Sequence, residues 1–167
     1  MFKKLFMITL LVLSACSSVK DEALPMTSSS EKAVEFYKTA FMHWEQGEWS
    51  EARNNFSSAL RVDPNFVLAN LYALEPDPQQ RRKYRQIAID NKNNVTDAER
   101  IQVEMWEAQR DGQSSKRLSL AKELAEKYPK SSMAHVWLGT VFTEQFMFDE
   151  AIKSLKTKKI EVKSLQE

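Results

Sequence analysis

The sequence predicts an all-α protein built from antiparallel helix hairpins. Three observations predict it. Turn-forming residues are scarce, with 3 Gly and 5 Pro in 167 residues, well below the roughly 12% of an average soluble protein. A β-sandwich or barrel needs far more turns than that. Apolar residues recur at helical spacing from Ser28 onward, and no stretch alternates as a strand would. Helix-start and helix-stop residues punctuate that pattern at regular intervals. The single cysteine excludes a disulfide scaffold, and 43% hydrophobic with 28% charged residues excludes a wholly disordered chain.

The first element is an address. Met1 to Ala15 reads MFKKLFMITLLVLSA: two lysines, an apolar run interrupted only by Thr9, then small residues. That is the three-part form of a secretory signal, too short to span a bilayer, which takes about 20 apolar residues. It ends at Cys16. Leu13-Ser14-Ala15-Cys16 resembles the lipobox of bacterial lipoproteins, which implies lipidation of the Cys16 thiol and cleavage before it. Several acyl chains on one cysteine anchor stably, since each buried CH₂ is worth about 0.8 kcal/mol.

Residues 16–30 follow as a Ser-rich segment without periodicity, expected to be a flexible tether. Ser17 stands after the cysteine, where an Asp would suggest retention at an inner membrane. Lys20-Asp21-Glu22 is similar to the short signal that sends lipoproteins of the Bacteroidetes group to the cell surface; solvated linker charges are the plainer reading. Removing the signal takes two lysines and no acid, so the formal net charge falls from +1 to −1. That argues against nucleic acid as a partner.

Residues 31–167 form the helical domain. Ser28 and Glu31 fit a capping box for a first helix ending at Gly47. A second runs from about Ser50 to Val62, with Ala52, Phe56, Ala59 and Leu60 on one face. Asp63-Pro64 is expected to open a third, and Asp77-Pro78, with Gln80 in the box position, a fourth reaching Asn91. Thr96 and Glu99 form a capping box for a fifth, which stops at Gly112. The sixth carries Leu118, Ala121, Leu124 and Tyr128 and ends at Pro129. The seventh covers Ser132 to Gln145, and an eighth starts near Phe148.

These helices repeat. Gly47 and Gly112 lie 65 residues apart, as do Pro64 and Pro129, and Ala52 and Ala151 lie 99 apart. The difference of 34 is the period of a helix–turn–helix repeat. Phe36, Ala40, Gly47, Trp49, Glu51-Ala52, Phe56, Ala59 and Asp63-Pro64, in that order, resemble the tetratricopeptide repeat (TPR) family. Leu138-Gly139, Phe142, Phe148 and Glu150-Ala151-Ile152 match it again. The resemblance spans about Ser30 to Leu155 and implies an α-solenoid of about four hairpins, a TPR-like superhelix. Four departures stand out: Glu75-Pro76-Asp77-Pro78 at an irregular turn, Arg117 in place of a small crossing residue, Phe146 in place of a turn glycine, and Lys158 where a small core residue belongs. Lys156-Thr157-Lys158-Lys159 with Ile160, Val162 and Leu165 makes a poor terminal cap. Either further repeats have been lost, which the abrupt fading of the signal favours, or the last pair is open to a partner.

No reactive cluster is found. His43 and His135 sit at helical positions that favour packing over metal binding. Three glycines leave no phosphate loop, and Ser28–Ser30 and Ser114-Ser115-Lys116 stand at helix starts, where Ser caps. Thr96 of Asn94-Val95-Thr96 is better explained as a cap than as part of a glycosylation acceptor. Arg81-Arg82-Lys83 with Arg85 reads as a solvated outer face, or else as a contact for lipid phosphates or an acidic partner.

The TPR resemblance implies that the first helix of each hairpin lines a concave groove for a peptide or protein segment. Tyr37, Phe41 and Trp44 of the first hairpin would face it, with Trp106 and Arg110 of the third and Thr140 and Glu144 of the fourth. Aromatic and Arg side chains suit such a role. The expected protein is therefore no enzyme and carries no cofactor or metal. It would be an outer-membrane lipoprotein, on the periplasmic or surface face, acting as a scaffold for a protein partner in the cell envelope. The alternative is an accessory surface lipoprotein of a carbohydrate-uptake system.

Overall fold

A computed structural model describes residues 21–163, with side chains through Lys156. The signal segment, Cys16 and Lys20 lie outside the described residues. Within them the chain is helical, with no strand: α1 (Glu31–Glu45), α2 (Trp49–Val62), α3 (Val67–Tyr72), α4 (Pro78–Asn91), a 3₁₀ turn (Lys92–Asn94), α5 (Asp97–Arg110), α6 (Ser114–Lys127), α7 (Ser132–Glu144) and α8 (Phe148–Lys163). Packing is densest between sequence neighbours: α1 with α2, α7 with α8 and α5 with α6, followed by α6 with α7 and α3 with α4. None of the helices described is long and apolar enough to cross a membrane.

Local chemistry fixes four of the boundaries among the described residues. Thr96 and Glu99 form the expected capping box, and Asp77 caps α4 by accepting from the Gln79 N–H with Pro78 at the first position. Gly47 and Gly112 adopt φ +76° and +68°, where a side chain would be strained. Two expected starts differ. Asp63-Pro64 does not open α3, which begins at Val67. The Asp63 carboxylate is instead taken by the Ser28 hydroxyl (2.7 Å), the Ser29 N–H (2.8 Å) and the Asn65 N–H (3.1 Å). For the same reason Ser28 and Glu31 make no capping box: the Ser28 hydroxyl is spent on Asp63, and Ser30, the residue at the cap, makes no side-chain capping bond.

Two apolar clusters form the core. The first joins α1, α2 and α3 with Ala88 of α4 and Val103 of α5. The second joins Ala98, Ile101, Met105 and Ala108 of α5 to α6 and α7. Helix α5 therefore belongs to both. Arg117, the unexpected residue in the small-residue position of α6, is buried and pairs with Glu144. Phe146 holds the turn before α8 at φ +61°.

Residues 21–30, expected to be a loose tether, are docked as an extended strap across the starts of the odd-numbered helices. Ser28 and Ser29 bind Asp63 before α3. Thr27 donates its N–H and hydroxyl to Glu99 of α5 at 2.9 and 2.7 Å, and the Thr96 hydroxyl reaches the Pro25 carbonyl at 3.1 Å. Asp21 accepts from the N–H and hydroxyl of Ser132 at the start of α7, a favourable place for a carboxylate at a helix N-terminus. The Glu22 N–H donates to the Lys130 carbonyl. The linker acids are thus paired while staying exposed, Asp21 with Ser132 and the Glu22 carboxylate with Lys130. Leu24 is buried in the second cluster and Met26 packs on the first. They are two residues apart and so on one face of an extended chain, with Ala23, Pro25 and Thr27 exposed between and beside them. Burying a Leu stabilises by about 1.5–3 kcal/mol, which works against the entropy of ordering the segment.

Candidate functional site

The odd-numbered helices converge on a cavity of about 430 Å³ beneath the strap, within the range of small-ligand and peptide sites. Tyr37, Lys38, Phe41, Met42 and Glu45 of α1 line one side, and Ser132 and Met133 of α7 with Ser131 another. Leu68, Gln102 and the strap residues Asp21, Ala23, Leu24 and Met26 complete it. The walls are mostly apolar, with three methionines able to adapt to an irregular occupant. Charge is confined to Lys38, Glu45 and Asp21. Ser131 is 2% exposed and its hydroxyl has no hydrogen-bond partner, so a polar atom entering the cavity would find one there.

Beside the cavity the aromatic rings fill the inner face. Phe41 contacts Tyr37, Trp44, Phe56 and Tyr72 at centroid distances of 5.1–5.8 Å. Tyr72 of α3 stacks on Trp137 of α7 at 5.4 Å and 11°, and Trp137 meets Phe41 edge-on at 6.4 Å. Helices α1, α3 and α7 thus touch through rings where an open hollow was expected. Burial pushes the Tyr37 and Tyr72 hydroxyls well above the ordinary tyrosine range; for Tyr37 the nearby Tyr72 and Glu99 add to the rise. Both are neutral donors at any physiological pH, and Tyr72 donates to Gln102 at 3.1 Å.

Of the residues expected in the groove, only Tyr37 and Phe41 line the cavity. Trp44 packs against Phe41, Phe56 and Tyr72. The guanidinium groups of Arg85 and Arg110 both stand over the Trp106 ring, 5.0 and 5.3 Å from its centre, each contact worth about 0.5–1 kcal/mol at exposed sites. Thr140 turns its hydroxyl back to the Val136 carbonyl, and Glu144 pairs with Arg117. Trp137 and Tyr72, which join the helices, and the strap residues went unread. An inward aromatic on α7 was the available signal for Trp137; nothing in the serine-rich segment signals the docking of Leu24 and Met26.

The basic cluster on α4 divides. Arg82 and Lys83 are exposed, Arg81 donates to the Glu75 carbonyl at 2.8 Å, and Arg85 covers Trp106. Both histidines are half-buried and bonded locally, His43 to Glu48 and His135 to the Pro129 carbonyl. Among the described residues no three His, Cys, Asp or Glu side chains converge as a metal site would need. No family model matches the chain, and no curated protein matches it.

Proposed function

We propose that this chain is a lipid-anchored helical-repeat protein of the bacterial cell envelope that holds a segment of another protein in the cavity on its inner face. Cys16 would carry the anchor, and the TPR-like hairpins would form a short solenoid whose first helices supply the binding surface. The observation that carries the reading is the cavity itself: four odd-numbered helices each contribute to one apolar, methionine-lined recess with a charged rim. That composition suits an apolar peptide side chain flanked by polar backbone, which the unpartnered Ser131 hydroxyl could bond. The strap would form one wall of the site, so the anchored end of the chain and the partner would meet on the same face. The role is non-catalytic.

The test is a photo-crosslinking amino acid at Met42, on the cavity rim and 48% exposed, in intact cells. A discrete protein adduct is expected, absent when Met133→Arg puts a charge into the recess while the circular dichroism stays helical. Adducts that persist in Met133→Arg, or that form equally from Trp49, would remove the cavity from the account. For the anchor, Cys16→Ser should move the protein from membranes to the soluble fraction; retention on membranes would refute lipidation there.

A further inference from the structure

Helix α8 carries an apolar row that the described residues leave largely exposed, with Leu155 resting on Gly139 of α7. Phe148, Ile152 and Leu155 are 55%, 52% and 40% exposed, and their spacings of four and three residues put them on one helical face. Phe146 in the preceding turn is 80% exposed and extends the row, its ring edge-on to that of Phe148 at 6.2 Å. It also holds the left-handed backbone that Gly47 and Gly112 adopt in the matching turns. A large exposed ring in a conformation that favours glycine is kept at a cost to the monomer, which points to contact outside it.

The charges beside the row indicate what makes that contact. Asp149 and Lys156 are both exposed. Seven residues is close to two helical turns, so both lie on the same flank, about 10 Å apart along the axis. A two-fold axis at Ile152 lays a second α8 antiparallel on the first. Each Asp149 then faces the other copy's Lys156, Phe148 meets Leu155, and Ile152 meets Ile152. A two-fold parallel pair would put this flank on opposite sides of the seam in the two copies, so neither charge would meet its complement. An anionic lipid surface would gain from Lys156 and lose from Asp149. Acid then base along one flank is self-complementary only in the antiparallel sense. We propose that this chain forms a two-fold symmetric dimer through antiparallel pairing of α8 with α8 of a second copy, centred on Ile152.

The experiment uses the full chain in detergent, with Cys16→Ser so that an introduced thiol is the only one. Ile152→Cys should give a disulfide-linked dimer on mild oxidation, and Arg53→Cys, at the matching position of α2, should not. Asp149→Lys and Lys156→Asp should each weaken self-association by roughly tenfold or more in sedimentation, and the double reversal should restore it. Phe146→Gly should weaken association while raising the melting temperature of the monomer at low protein concentration, a combination that simple unfolding cannot produce. A monomeric parent chain, or thiol linkage as efficient at residue 53 as at 152, would overturn the proposal. So would charge reversals with opposite effects, which would assign the row to a charged surface such as a bilayer. None of these outcomes depends on the cavity.

Discussion

Ala52 of α2 and Ala151 of α8 lie 99 residues apart and both are buried against the preceding helix. Four residues on, the two helical pairs part company: Phe56 is 1% exposed, Leu155 40%. The partners across the pair differ too. Phe56 meets Tyr37, Phe41 and Trp44 of α1, whereas the matching positions of α7 hold Val136, Thr140 and Thr143. Phe66 and α3 follow α2 and close the first core; among the described residues nothing follows α8. The same local pattern therefore builds a buried core in one place and an open surface in the other. Burial at a repeat position is decided by the next element in the stack, which the residues of one pair do not encode.

The sharpest way to break this comparison is to truncate the equivalent residues. Phe56→Ala should cost roughly 3–5 kcal/mol, the range for a fully buried aromatic. Leu155→Ala, already part-exposed, should cost about 1 kcal/mol. Denaturant unfolding measures both, and equal losses would mean that the last pair is as closed as the first. The turns should behave in the opposite order. Gly47→Ala forces a side chain into φ +76° and should destabilise by about 1 kcal/mol, while Phe146→Gly, at φ +61°, should stabilise by about as much. Thermal melts at low protein concentration check the signs.

The helix order, the two glycine stops, the Thr96–Glu99 box and the Asp77-Pro78 start were legible because each rests on contacts within about four residues. Residues 21–30 were not legible. They read as a flexible tether, yet Ser29, Thr27 and Asp21 are held by Asp63, Glu99 and Ser132 from 34, 72 and 111 positions away. Asp63 was misread for the same reason: a capping residue and a strap acceptor look identical until a distant donor arrives. At the site, Tyr37 and Phe41, large residues that the repeat pattern turns inward on α1, line the cavity. Trp106 was placed in the groove although Arg85, from a different helix, claims its ring. Periodicity identifies an inward face but not what the rest of the chain lays over it.

The smallest effect to look for lies where the strap leaves the first pair. Burial alone would raise the Asp63 carboxyl, but the Ser28 hydroxyl and the Ser29 and Asn65 amides outweigh it and hold the group below the usual carboxylate range. A depressed folded pKa stabilises above the unfolded value, near 3.9, and that contribution is lost as pH falls through the folded value. The strap should therefore stay fixed at neutral pH and loosen at the Asp63 end below about pH 4. Asp63→Asn should remove that dependence and leave the end equally loose throughout. Fluorescence from a probe at Ser30, followed from pH 6 to pH 2, tests it. A transition of the same size in Asp63→Asn would move the cause to another carboxylate, and the contrast between a held first pair and an open last pair would then need a different latch.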